Sequence, residues 1–190
     1  MKGNFFTGLL IFGGSATEAL PEFWSPYDAT NIEDVPGTPK IIDRFTLDAV
    51  ESTIIACGDA VCEKFSEGSW VHHSNTFHQR LDHTSAIHGG RILLVGGSAS
   101  PKTTGWHSVD GLAEEGMFAL EDPGRENHCS ITIEDPPSMI LTGGKNTGTL
   151  VTQYSLPNGE ILTPPIPAMT ESREHHACGV YQNSEGSQVR

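Results

Sequence analysis

Short apolar runs of five to seven residues, each interrupted by Gly, Pro, Asn or Asp, dominate the pattern along this chain. No window of ten or more residues repeats its apolar positions at the spacing that an amphipathic helix requires. Short apolar runs bounded by turn residues are typical of β-strands. Glycine and proline, at 21 and 12 residues, are frequent enough to supply many turns. The pattern predicts an all-β chain.

Two sequence markers recur along the chain at one period. The first is an apolar run that ends in glycine, found 39 to 47 residues apart at 8–14, 52–58, 91–97 and 138–144. It includes the glycine pairs Gly96-Gly97 and Gly143-Gly144. The second is an arginine three residues before a histidine, found at Arg80 and His83, Arg125 and His128, and Arg173 and His176. This period fits one four-stranded β unit.

Folding alone explains the residues of these markers. Glycine allows the positive φ of a turn and lets a neighbouring backbone approach closely. Arginine and histidine at the edge of a sheet can satisfy carbonyl groups of the adjacent unit. The segment Arg44-Phe45-Thr46-Leu47 is interpreted as a further copy, with the arginine kept and the histidine replaced by leucine.

Together the markers resemble the repeats of the kelch family. Two further elements are similar: the hydrophobic-x-x-aromatic segments Val61–Phe65 and Val151–Tyr154, and the linker Pro164–Met169. The resemblance implies an arc of a β-propeller with about four four-stranded blades, incomplete at both ends. Its approximate units are 1–43, 44–79, 80–124, 125–172 and a partial 173–190. A closed propeller has about four to eight full blades, so we expect a fragment of a longer protein, or self-association that closes the ring.

The same resemblance implies a non-enzymatic scaffold that binds a protein partner or ligand through its loops. The loops that follow the glycine pairs, Ser98–Gly111 and Lys145–Thr149, are the candidate binding elements. Their candidate contact residues are Lys102, Trp106, Lys145 and Asn146. One alternative is part of a galactose-oxidase-like copper-radical enzyme, whose chemistry needs two tyrosines and two histidines around copper. Another is an extracellular glycan-binding propeller.

Charge and motifs argue against several other functions. A formal net charge of −13 with 11 scattered basic residues argues against nucleic-acid binding. The chain contains no Gly-x-Ser-x-Gly elbow, Walker loop or zinc-type ligand spacing, and no run long enough to span a membrane. The nine histidines are expected to be structural or solvated. We therefore predict no catalytic residue, no metal site and no cofactor.

The cysteines and the N-terminus bear on the compartment. Cys57 and Cys62 flank a predicted hairpin loop, where a disulfide is a candidate and two free thiols are the alternative. Cys129 and Cys178 are interpreted as buried small residues at equivalent positions of successive units, too far apart to bond. The first residues are read as a strand, with a signal peptide as the alternative. The compartment stays open: extracellular if the disulfide or the signal is real, otherwise cytoplasmic.

Overall fold

A computed structural model covers residues 1–190. The structure describes residues 9–11, 22–24, 32–34, 44–50, 53–67, 69–99, 102–111, 113–121, 123–179, 181–182 and 188–189. All strand pairs in these segments are antiparallel, and none of the segments is helical. This part of the chain accordingly holds no helix that could cross a membrane. The all-β prediction is confirmed.

The described strands form five sheets, one after another along the chain. The first contains β1 (Leu9–Ile11), β2 (Glu22–Trp24) and β3 (Ile32–Asp34), and the second contains β4 (Thr46–Val50), β5 (Thr53–Ser66) and β6 (Ser69–Arg80). The third contains β7 (Thr84–His88), β8 (Arg91–Val95), β9 (Thr103–Ser108) and β10 (Ala113–Ala119). The fourth contains β11 (Cys129–Glu134), β12 (Pro137–Thr142) and β13 (Val151–Ser155), and the last pairs β14 (Tyr181–Gln182) with β15 (Gln188–Val189).

The third sheet is packed between the second and the fourth. In β8, Ile92 and Leu94 point to one face and contact the cluster that contains Ile55 of β5. Leu93 points to the other face, where it joins the cluster that contains Met139 of β12. Successive side chains of a strand alternate between faces, so an uninterrupted apolar run is what a strand buried on both faces needs. Face-to-face stacking therefore holds these three sheets together.

Trp106 was predicted to be a binding residue in a loop, and the structure shows that this is wrong. It lies in β9, opposite Leu93 of β8, and is only 1% exposed. Its ring belongs to the core between the third and fourth sheets, and the Arg91 guanidinium lies 4.9 Å from the ring centroid. The segment Thr103–Ser108 pairs with a strand on each side, and its residues 104–107 are buried, so their side chains are not free to contact a partner.

The interpretation of Arg44 as the repeat arginine is also wrong, because Arg44 lies two positions after the place that the repeat arginine holds in the other units. Arg44 has a φ of 52°, like Asp82 at 57° and Asn127 at 55°, the residues directly before His83 and His128. Phe45 therefore occupies the histidine position of its unit. The Arg44 guanidinium instead donates to the Asp82 carboxylate at 2.9 Å and links two successive units.

The Cys57–Cys62 pair forms a disulfide, with the two Cα atoms 4.1 Å apart. Both residues belong to β5, whose first arm pairs with β4 and whose second arm pairs with β6. Five residues of straight strand would separate the Cα atoms by about 16 Å, so β5 must bend sharply between the cysteines. Asp59, at a φ of 51°, lies in this bend. The bend takes the place of the predicted hairpin loop.

Cys129 and Cys178 are also joined by a disulfide, with a Cα separation of 6.0 Å, so the prediction that they cannot bond is wrong. The two residues are not equivalent: Cys129 directly follows His128, whereas Cys178 lies two residues after His176. Ser130 lies two residues after His128, as Cys178 does after His176, and its hydroxyl donates to the Ser85 carbonyl of the preceding unit at 2.8 Å. Cys178 therefore points back toward the preceding unit, and Cys129, one position earlier in its strand than Ser130, points toward the following unit. The first strands of successive units also lie side by side, as β4, β7 and β11 do.

The two disulfides are expected to differ in their contribution to stability. Replacing both Cys129 and Cys178 by alanine should lower the free energy of unfolding by about 4 kcal/mol, because their sequence separation is 49 residues. Replacing Cys57 and Cys62, separated by five residues, should cost about 2 kcal/mol. Urea titrations of both double variants without reductant measure the difference. Equal losses, or free thiols in the denatured wild-type chain, would contradict this assignment.

Candidate functional site

Arg125 is fully buried and holds together the start of the fourth sheet. Its Nη1 donates to the carbonyls of Gly143 at 2.8 Å and Leu150 at 3.1 Å. Its Nη2 donates to the Thr152 hydroxyl at 2.8 Å, and its Nε donates to Oε1 of Glu121 at 3.0 Å. All three nitrogens of the guanidinium thus donate to acceptors inside the protein.

Arg80 repeats this arrangement one unit earlier. Its Nη1 donates to the carbonyls of Gly96 at 2.7 Å and Thr103 at 3.1 Å, and its Nη2 donates to the Thr103 hydroxyl at 2.9 Å. Glycine is required at these pairs because the backbone of the following unit approaches them closely. A Cβ on Gly96 would clash with the carbonyl oxygen of Arg125, and one on Gly143 with that of Arg173. The arginines and glycines of the repeat therefore serve packing.

Two of the repeat histidines, His83 and His128, are buried and bonded to the preceding unit. The Nε2 atom of His128 lies 2.8 Å from the Thr84 hydroxyl, and that of His83 lies 3.3 Å from the Thr46 hydroxyl. Desolvation lowers the pKa of His83 to about 4 and that of His128 to about 3. His176 bonds Thr142 instead, because the position of Thr46 and Thr84 is taken by Cys129 in its unit. Neutral, enclosed imidazoles are poorly placed to act as acids or bases.

A polar pocket opens beside the second glycine pair, and we call it the rim pocket. Its volume is about 580 Å³, and it is lined by Gly144, Lys145, Asn146, Thr147, Gly148, Thr149, Ser172 and Glu174. The loop that forms it is held by its own hydrogen bonds. The Thr147 hydroxyl donates to the Gly143 carbonyl at 2.6 Å, and the Gly148 N–H donates to the Gly144 carbonyl at 3.0 Å.

Lys145 and Asn146 present the polar groups of the rim pocket. Lys145 is 56% exposed, and its Nζ lies 2.9 Å from Oε1 of Glu126. The hydrogen bond to Glu126 raises the pKa of Lys145, so the ammonium stays charged at neutral pH. Asn146 has a φ of 66°, a backbone conformation that asparagine adopts more readily than most residues. The two predicted loop residues thus lie together at one accessible opening.

The other predicted binding residues are not brought to this pocket. Lys102 is exposed in the turn before β9, and its carbonyl accepts the Leu120 N–H at 2.8 Å. It belongs to the third sheet, whereas the rim pocket belongs to the fourth. Trp106 is in the core, as described above. The candidate site therefore narrows from two loops to the segment 144–149 with Ser172 and Glu174.

Two buried carboxylates were missed by the sequence reasoning. Glu121 accepts hydrogen bonds from both Arg125 and Thr152. In the sequence, the signal for this role was its position four residues before a repeat arginine. Asp48 in β4 accepts the Ser85 hydroxyl at 2.9 Å with one oxygen, and its Oδ2 is buried without a hydrogen-bond partner. Desolvation raises the pKa of Asp48 to about 6. Nothing in the pattern of β4 marks Asp48 as buried.

The described histidines do not form a cluster that could hold a metal ion. Among the described residues, no group of three or more His, Cys, Asp or Glu side chains could hold a metal ion. Ser74 and His107 form a buried pair, with the hydroxyl 3.3 Å from Nδ1. Desolvation lowers the pKa of His107 to about 4, so this imidazole is neutral. Both side chains are buried, at 5% exposure for Ser74 and 2% for His107.

Comparison with known proteins supports the fold. No family model matches the chain, and no curated protein sequence matches it significantly. The solved structure of YjhT is similar, with a TM-score of 0.69 over 83% of this chain at 13% sequence identity. This chain spans 63% of the length of that one, which is less than two thirds. A likeness at this identity shows a shared arrangement of sheets.

Proposed function

We propose that this chain is an arc of a kelch-type β-propeller that binds a protein partner through its rim loops and catalyses no reaction. The face-to-face stacking of successive antiparallel sheets supports the propeller. So does the repeated use of Arg80 and Arg125 at the same place in two units. The likeness to YjhT is consistent with this arrangement.

The rim pocket is the observation that carries the proposed binding role. It is an accessible pocket on a loop whose backbone is fixed by hydrogen bonds to the glycine pair and to the segment before Arg173. A rigid scaffold that displays a polar loop suits recognition of a partner. By contrast, the buried arginines and histidines of the repeat are already engaged in packing. The proposed binding surface therefore lies in the loop and not in the repeat motif.

The proposed compartment is extracellular or otherwise oxidising. Two disulfides join all four cysteines, and disulfides persist where the surroundings are oxidising. The partner we propose is a protein, since the formal charge of −13 disfavours nucleic acid. No cofactor is part of the proposal.

A paired set of rim variants tests the binding role. The double variant Lys145→Ser with Asn146→Gly removes the polar side chains of the rim pocket and keeps a backbone that tolerates positive φ. The matched control is Asn158→Gly with Glu160→Ser, two exposed residues in the turn that follows β13. Wild-type, rim-variant and control chains, all disulfide-bonded, are used as baits in an extract of the source organism. We expect the wild-type and control chains to bind the same partner equally. The rim variant should bind it about tenfold more weakly, as for the loss of one or two charge-assisted hydrogen bonds.

Two results would overturn the proposed function. If every captured protein binds the rim variant as well as wild type, the rim pocket is not the binding surface. If the purified chain holds copper in stoichiometric amount, or binds a free glycan through residues outside the loops, one of the alternative functions is favoured. Metal analysis and a glycan array on the same preparations give these readings.

A further inference from the structure

The segment 163–179 runs along the fourth sheet without forming a helix or a strand, and we call it the strap. Its residues are exposed apart from four half-buried ones: Ile166, Met169, His176 and Cys178. Ile166 and Met169 pack against the cluster that contains Ile133 and Ile140. Segments with exposed backbone and few buried side chains are the parts of a protein that open at the lowest free energy. The strap therefore has the properties of a segment that opens before the sheet beneath it.

Backbone hydrogen bonds join the strap to the loop of the rim pocket. The Met169 N–H donates to the Thr149 carbonyl at 2.9 Å, and the Arg173 N–H donates to the Gly148 carbonyl at 3.3 Å. In the opposite direction, the Gly144 N–H donates to the Arg173 carbonyl at 2.8 Å. Because two residues of the strap also line the rim pocket, the position of the strap determines the shape of that pocket.

The Cys129–Cys178 disulfide fastens the strap to β11, the first strand of the fourth sheet. Both cysteines are half-buried, and the neighbours of Cys178, Ala177 and Gly179, are exposed. A Cβ on Gly179 would meet no atom within 4 Å, so there is open space beside Cys178. An external thiol can therefore reach this disulfide.

The other disulfide of the chain is enclosed. Cys57 and Cys62 are both 0% exposed and belong to the cluster that also contains Ile55 and Ile92. Thiol–disulfide exchange requires a thiolate to reach one of the two sulfur atoms, so its rate depends on access. The chain thus contains one accessible and one enclosed disulfide, and the enclosed one is an internal control for the other.

We propose that the Cys129–Cys178 disulfide is a reducible site, and that its cleavage frees the strap to open and so removes one wall of the rim pocket. The reductant is an external dithiol. Its first thiolate attacks the Cys178 sulfur, the S–S bond of the protein breaks, and Cys129 leaves as a thiolate that is then protonated. The second thiol of the reductant attacks the mixed disulfide, which releases the Cys178 thiol and leaves the reductant as a cyclic disulfide. Two electrons thus pass from the reductant to the protein.

Chain entropy is the reason why reduction favours the open strap. The crosslink joins residues 49 positions apart and limits the conformations of the opened segment. Reduction leaves the hydrogen bonds of the closed strap in place, whereas the open strap gains freedom. The apolar contacts of Ile166 and Met169 still favour the closed state. We therefore expect the reduced strap to open more often, while the sheets remain folded.

Stepwise reduction of the oxidised wild-type chain with dithiothreitol tests the proposal. Alkylation followed by peptide mass analysis identifies which cysteines have been released. We expect Cys129 and Cys178 to be released at least about tenfold faster than Cys57 and Cys62, because only the first pair is accessible.

Hydrogen exchange of the partly reduced chain measures the opening of the strap. Exchange at the amides of Gly144, Met169 and Arg173 should be at least about tenfold faster than in the oxidised chain, because these amides join the strap to the loop. Exchange in β8 should not change. Wild type incubated with oxidised dithiothreitol is the matched control and should retain its protection.

Three results would overturn the reducible site. The first is release of all four cysteines at one rate, and the second is unchanged exchange at the three amides after reduction. The third is equal acceleration in every described sheet, which would mean that the disulfide supports the whole fold. The double variant Cys129→Ser with Cys178→Ser should show the same local opening without reductant. Should that variant fail to fold, the partly reduced wild-type chain supplies the same measurement.

The consequence for binding rests on the proposed function of the rim pocket. A partner that contacts this pocket should bind the reduced chain about tenfold more weakly, because Ser172 and Glu174 move with the strap. The exchange measurement involves no partner, so the two ideas fail separately. Faster exchange with unchanged binding would overturn the rim pocket as the binding surface. Unchanged exchange would overturn the reducible site, even where binding at the rim pocket is found.

Discussion

Replacing Arg125 by alanine is expected to lower the free energy of unfolding by about 3–5 kcal/mol, the cost of removing one partner from a buried ion pair. The guanidinium is fully buried and binds the Gly143 and Leu150 carbonyls, the Thr152 hydroxyl and the Glu121 carboxylate. Alanine would leave these acceptors without their donor and Glu121 without its counter-charge. Urea unfolding followed by tryptophan fluorescence measures the loss.

The matched control is Arg173→Ala. It removes the same residue type at the same repeat position from an exposed site, where an ion pair contributes about 0–1 kcal/mol. Arg125→Lys should recover part of the loss, because an ammonium restores the charge but cannot reach every acceptor of the planar guanidinium. Equal, small effects of Arg125→Ala and Arg173→Ala would show that the buried network does not stabilise the fold.

The fold class and the repeat markers were predictable because they depend on local chemistry. Apolar runs such as 92–95 are long enough for one strand, and the glycine pairs after them fix where each strand must end. The structural roles of Arg125 and Gly96 also follow from what guanidinium donors and a missing Cβ can do. Periodicity alone is sufficient for these features.

Other features depend on which strands become neighbours, and the sequence does not specify this locally. Thr103–Ser108 has the small and polar residues of a loop, yet pairing on both sides makes it a strand and buries Trp106. The Cys129–Cys178 bond depends on the first strands of two successive units lying side by side. Cys129 and Cys178 differ by one residue in their distance from the repeat histidine, and because of this difference their sulfur atoms face each other. The rim pocket likewise requires the segment around Ser172 to fold back over the loop.

The stability of this chain is expected to fall steeply below neutral pH. Burial lowers the folded-state pKa of His83 and His107 to about 4 and that of His128 to about 3. A histidine with a lowered pKa contributes stability that is fully present above its unfolded pKa, near 6.5. That stability is lost as the pH falls through the folded value, because the unfolded chain takes up the proton first. The window for these losses runs from about pH 6.5 down to about pH 3.

Asp48 acts in the opposite direction. Burial raises its folded-state pKa to about 6, so its contribution is fully present below its unfolded value of 3.8 and is lost as the pH rises through 6. Between pH 4 and 6, uptake of one proton by Asp48 in the folded chain offsets part of the uptake by three histidines in the unfolded chain. The net difference of about two protons gives a slope of at most about 2.7 kcal/mol per pH unit.

Asp48→Asn separates these opposing contributions. Asparagine keeps the size of the side chain and can still accept from the Ser85 hydroxyl, but it never carries the buried negative charge. At pH 7.5 the variant should be more stable than wild type by about 1–3 kcal/mol. Below pH 6 its stability should fall more steeply, approaching about 4 kcal/mol per pH unit, because the offsetting proton uptake is gone. Urea titrations at half-unit pH steps measure both slopes, and parallel curves for the two chains would show that Asp48 does not bind a proton in the folded state.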